Sequence, residues 1–81
     1  MSGEVSTVTD RWFQAYDDLR LTKRVTQRQM CRELNVDRRN FVQQEKDHSR
    51  RILRVEWLAH LVTNYGCSAD WLLTGRGWPW G

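Results

Sequence analysis

Thr26-Gln27-Arg28-Gln29-Met30-Cys31-Arg32-Glu33-Leu34-Asn35-Val36-Asp37-Arg38-Arg39-Asn40-Phe41-Val42-Gln43-Gln44-Glu45-Lys46 carries two helix starts and one helix stop in a single run. Thr26 is an N-cap residue, and Gln29 stands three positions on, where a capping-box partner reaches back. Met30, Cys31 and Leu34 then share one face of a short helix. Asn35 follows at once, and asparagine accepts the left-handed conformation that ends helices. Asp37 is the next N-cap. It opens a helix over about 38–46 that turns Phe41 inward. Two short helices joined by about three residues need a small side chain at the crossing, a positive φ in the turn and apolar pins beyond it. Cys31, Asn35, Val36 and Phe41 meet these needs. This is helix-turn-helix geometry, in which the second helix enters a DNA major groove by its N-terminal end.

Upstream, Thr9 or Asp10 is expected to cap a helix to about Leu21, with Trp12, Phe13, Tyr16 and Leu19 as its apolar stripe. Residues 1–8 read as a flexible leader without a signal-peptide core. Downstream, Asp47 to Leu53 read as a basic loop. A fourth helix from about 54 to 65 turns Val55, Leu58, Leu61 and Val62 inward, with Trp57 beside them, and Gly66 ends it. Ser68 caps a last helix from Ala69 to about Thr74, stopped by Gly75. No alternating strand pattern interrupts this order. The expectation is an all-α domain of five short helices over residues 9–75, followed by a Trp- and Pro-containing tail over 76–81.

The chain has 81 residues, room for one core. A chain of this size buries roughly 60% of its unfolded surface. No apolar run reaches the roughly 18 residues of a membrane span, and the expected compartment is the cytoplasm. The net charge of +3 conceals a division. Residues 20–54 carry eleven basic and four acidic side chains, a net of +7; the other 46 residues carry two basic and six acidic, a net of −4. Eleven of the thirteen basic residues are arginine, the side chain suited to phosphates and guanine edges. A basic middle suggests a face for a polyanion.

With these residues in view, Thr26 to Val36 resembles the "TQxxLAxxLGV" signature of phage-repressor and Cro-like regulators, the xenobiotic-response-element helix-turn-helix family. Tyr65-Gly66-Cys67-Ser68-Ala69-Asp70-Trp71-Leu72-Leu73-Thr74-Gly75 is similar to the "GVSxDWLLxG" segment that closes the domain in lambdoid repressors. The resemblance implies a compact five-helix, lambda-repressor-like domain that binds double-stranded DNA as a homodimer on a two-fold operator. It implies that Gln27 bonds a backbone phosphate and buttresses the recognition helix, and that Arg38, Arg39 and Gln43 read base edges. Asn40 becomes a phosphate or base contact, Val42 a contact to a thymine methyl, and Arg50 and Arg51 lie along the DNA backbone. Bidentate chemistry agrees: arginine suits guanine and glutamine suits adenine.

Several residues depart from the pattern. Asn35 replaces a glycine, Cys31 an alanine and Met30 a leucine. Gln44 stands where the family has an apolar residue, so either the third helix packs less firmly or Gln44 itself faces DNA. Asp47 places a negative charge after the recognition helix, and Ile52 and Leu53 offer docking points onto the core.

Arg38 and Arg39 at a helix N-terminus oppose the helix dipole, which a purely structural sequence would avoid. His48 and His60 are isolated, Cys31 and Cys67 have no metal or disulfide spacing, and no catalytic constellation is present, so neither an enzyme nor a cofactor is expected. Trp78 and Trp80 lie beyond the last helix, where they are expected to fold back on the domain or to pack in a homodimer. Other readings are a protein-interaction or antitoxin-type adaptor on the same fold, or the N-terminal fragment of a longer repressor.

Overall fold

The first helix, α1, runs Val8–Thr22, and its cap lies two residues before Thr9 and three before Asp10, the two expected caps. Thr7 is the cap: its side chain accepts from the Asp10 amide at 3.0 Å, and Asp10 Oδ2 accepts from the Thr7 amide at 3.2 Å. Asp10 is therefore the third residue of a reciprocal capping box rather than the cap itself. The computed structural model describes residues 7–80, so the expected flexible leader lies outside the described residues except for Thr7 and Val8, which belong to the start of α1. The remaining helices are α2 Gln27–Leu34, α3 Arg38–Lys46, α4 Val55–Tyr65 and α5 Ala69–Thr74. No strand occurs among the described residues, and the fold is all-α.

The short helices stop where the sequence has left-handed residues. Asn35 (φ 56°) closes α2, with the Val36 amide on the Cys31 carbonyl at 3.0 Å and the Asn35 amide on the Arg32 carbonyl at 3.2 Å. That pair of bonds is the Schellman closure, and it makes the turn to α3 three residues long. Gly66 (φ 74°) and Gly75 (φ 82°) close α4 and α5. Arg24, with φ 56°, takes the same conformation between α1 and α2 without being a glycine.

α1 packs on α5, α2 on α3 and α4, and α4 on α5. The core is an aromatic cluster. Trp12 and Trp57 rings lie 5.4 Å apart, Phe41 stacks on Trp57 at 5.6 Å, and Tyr16 meets Phe41 edge-on at 5.3 Å. Trp12 Nε1–H donates to the Trp57 carbonyl at 2.8 Å, so its one polar atom is satisfied in the interior. Met30, Leu61 and Leu72 fill the spaces between.

One expected inward residue is not inward. Val55 is 73% exposed. At about 100° per residue it lies about 200° around α4 from buried Trp57. Trp57 and Leu61 are buried in the core and Leu58 and Val62 pack half-buried against it, whereas Val55 is exposed on a groove that it lines with Leu58, Ala59 and Val62 against Leu72 and Leu73 of α5.

Arg11 is buried and clamps the end of α5, its Nε donating to the Leu72 carbonyl at 2.8 Å and its Nη2 to the Leu73 carbonyl at 3.2 Å. A cation there also opposes the negative end of the helix dipole. The tail folds back. The Ser68 amide donates to the Pro79 carbonyl at 2.7 Å, Pro79 is buried, and Trp80 Nε1–H donates to Asp18 Oδ2 at 3.2 Å.

Candidate nucleic-acid interface

The candidate interface comprises α3 and the loop that follows it. Asp37 caps α3, its carboxylate accepting from the Arg39 amide at 2.7 Å. Arg38 and Arg39 then occupy the first turn, where their charge is electrostatically unfavourable by about 0.3–1 kcal/mol each. Gln27, at the first position of α2, bridges to α3. Its Oε1 accepts from Arg38 Nε at 3.0 Å and its Nε2 approaches Glu45 Oε1 at 3.5 Å. The buttressing expected of Gln27 is thus visible as two contacts, one near each end of α3.

Gln44 corrects the sequence reading. It is fully buried and does not face solvent. Its Oε1 accepts from the amides of Ile52 (2.9 Å) and Leu53 (2.6 Å), and its Nε2 donates to the Asp47 carbonyl at 3.1 Å. A polar residue at this buried position is satisfied three times over, and it fixes the path of the basic loop. Ile52 and Leu53 rest half-buried against the core, as expected of docking points.

Asp47 also has a structural place. Its Oδ1 accepts from the Ser49 amide at 3.1 Å and from the Ser49 hydroxyl at 2.6 Å, and its Oδ2 lies 3.9 Å from Arg50 Nε. The bonds from Ser49 are the chief reason its carboxyl titrates below the usual range. His48 anchors the same loop to α1: its Nδ1 bonds Asp10 Oδ1, and its ring stacks on Phe13 at 5.1 Å. The His48 bond is the main cause holding the Asp10 carboxyl below its ordinary value, helped by Thr7 and opposed by burial.

Two clefts flank the α2–α3 turn. One is lined by Arg28, Arg32 and Arg38 together with Cys31 and Val36. The other, of about 540 Å³, brings Asn40, Arg51 and Arg54 together beside Asn35 and the start of α4, with the acidic Asp37 and Glu56 also lining it. Arg39 is exposed and lines neither cleft; Arg50 is exposed and engaged with Asp47; Gln43 is half-buried. Among the described residues the side chains of Arg39, Asn40, Gln43 and Arg51 have no hydrogen bond or ion pair, so they are available to an external ligand. Arg28 and Arg32 join the expected set from outside it. Their i, i+4 spacing on α2 was the available signal.

α2 is itself held from behind. Glu33 Oε1 accepts from His60 Nε2 at 2.8 Å and from the Tyr65 hydroxyl at 2.7 Å, while Oε2 accepts from Gln29 Nε2 at 2.9 Å. Burial pushes the Glu33 carboxyl up, but these three bonds outweigh it and leave it below its ordinary value. Gln29 therefore serves Glu33 instead of completing a capping box with Thr26; only the Gln29 amide bonds the Thr26 hydroxyl, at 3.0 Å.

Burial raises both cysteine thiols, Cys67 to about 11, which keeps them protonated at neutral pH. Among the described residues no group of three His, Cys, Asp or Glu is placed to hold a metal ion, and no helix is long and apolar enough to cross a membrane. The chain matches no family model, no characterised protein and no solved structure.

Proposed function

We propose that the chain is the sequence-specific, double-stranded-DNA-binding domain of a repressor-like transcriptional regulator, with α3 in the major groove. The observation that carries this is the first turn of α3. Arg38 is oriented by Gln27, Arg39 extends unpaired into solvent, and both stand against the helix dipole with no compensating acid beyond the cap. Side chains held at a structural cost, Arg39 without a partner and Arg38 bonded only through Nε, are suited to an external polyanion. Arg38 and Arg39 are assigned to guanine edges and Gln43 to adenine. Arg50, Arg51 and Arg54 with Asn40 are assigned to phosphates, which position the domain without reading sequence.

The two-fold arrangement implied by the resemblance has a suitable surface. The α4–α5 groove is lined by Val55, Leu58, Val62 and Leu73 and by no charged residue, so two copies meeting across a symmetry axis bring no like charges together.

Equilibrium binding to a duplex across a salt series tests the proposal. Affinity should fall with salt at a log–log slope of roughly −0.9 per neutralised phosphate. Arg39→Ala should cost about 1–3 kcal/mol on the preferred site and relax specificity there. Binding that ignores salt would refute it.

A further inference from the structure

We propose that the cleft between α1 and the folded-back tail, formed by Asp18, Trp78 and Trp80, binds an arginine side chain of a partner protein. The tail is fastened rather than trailing. Gly77, at φ 80°, turns the chain, Pro79 is buried with its carbonyl bonded to the Ser68 amide, and the Trp80 indole is bonded to Asp18. Yet the fastening leaves the large rings in solvent: Trp78 is 77% exposed and Trp80 39%. A fold that orders two tryptophans without burying them presents their faces to something else.

The chemistry of the cleft selects a cation. It encloses about 400 Å³, enough for one long side chain, and Gln14 and Trp71 complete its wall. No basic residue lines it. Asp18 spends Oδ2 on the Trp80 indole, and among the described residues Oδ1 has no partner. An indole face attracts a cation through its quadrupole, and a flat guanidinium can stack on that face while donating to a carboxylate at its edge. Asp18 is the one charged residue among those that line the cleft, which favours a basic polypeptide segment. The site is independent of the DNA-binding reading and uses none of its residues.

The probe is acetyl-Gly-Arg-Gly-amide, titrated at low salt into the ¹⁵N-labelled chain, with the glutamine peptide acetyl-Gly-Gln-Gly-amide as control. The five indole N–H signals are followed. The Trp78 and Trp80 signals should move saturably with the arginine peptide and remain in place with the glutamine one. Trp78→Ala, which removes a ring that makes no hydrogen bond among the described residues, should weaken binding about fivefold. Asp18→Asn keeps an acceptor for Trp80 and removes the charge, and should weaken it similarly. Equal shifts with both peptides, no shifts, or unchanged affinity in both variants would overturn the proposal. So would concentration-dependent shifts at the same indoles without peptide, which would mean that a second copy of the chain sits there.

Discussion

Replacing Gln44 with leucine, the type of residue the resembled family carries there, should destabilise the protein instead of improving its core. The two side chains are close in volume, so no sizeable cavity opens. What changes is hydrogen bonding. The Ile52 and Leu53 amides lose their shared acceptor, and the Asp47 carbonyl loses its donor. Stranding a buried donor costs about 1–3 kcal/mol. Ile52 and Leu53 are only half-buried, so water recovers part of this if the loop opens. The expected loss for Gln44→Leu is therefore about 2–4 kcal/mol. That is a large part of the total stability of a domain this small, about 4–12 kcal/mol. Urea unfolding followed by circular dichroism measures the loss directly, as a lower midpoint at unchanged slope. Amide exchange at Ile52 and Leu53 should accelerate before global unfolding does. A variant within about 0.5 kcal/mol of the parent, a change typical of a neutral surface site, with both amides still protected, would refute the claim that Gln44 holds the loop.

Asp10 and Glu33 should titrate below their ordinary values of 3.8 and 4.5. A depressed folded value means that their stabilisation is complete above those values and is lost as pH falls through the lower folded ones. Carboxyl NMR and urea midpoints from pH 7 to 3 check this, and Asp10→Asn should flatten the acid limb. Tyr16→Phe should leave stability unchanged or raise it by up to about 1 kcal/mol, because the Tyr16 hydroxyl is buried without a partner among the described residues and burial pushes it to about 12. A thermal melt showing a clear loss would show that the hydroxyl is satisfied. Gly75→Ala should cost more than Gly66→Ala. Both place a side chain at positive φ, at about 1–2 kcal/mol, but only at Gly75 does the new methyl come within 3.3 Å of Arg11 Nη1. The reverse order would sink the Arg11 clamp.

The starts of α2, α3 and α5 and the ends of α2, α4 and α5 were legible because capping is local, whereas the cap of α1, Thr7, was not. Thr26, Asp37 and Ser68 cap, and Asn35, Gly66 and Gly75 terminate, as their side chains and φ preferences require. The aromatic core was legible from the stripe on α1. What the sequence could not display were bonds whose two ends lie far apart or on the backbone. Arg11 carried no signal of its own in the sequence, because its partners are carbonyls 61 and 62 residues away. Gln44 looked anomalous against an apolar norm because its partners are loop amides that carry no sequence signal. Trp80 could not be assigned a side until Asp18, 62 residues earlier, was seen to hold it. Val55 was misplaced because the apolar residues of α4 cover more of its circumference than the core does: Leu58 and Val62 pack against the core, and Val55 beyond them is exposed. In the candidate interface, Arg38 and Gln27 were legible singly. That one orients the other depends on how α2 and α3 pack.

Selection from a pool of randomised duplexes with the purified chain bears most directly on the assignment of α3 to the major groove. Enrichment of a defined site with two-fold related halves is expected, containing guanines whose preference relaxes in Arg39→Ala. A pool that remains random after successive rounds, or a site that Arg39→Ala enriches unchanged, would contradict it.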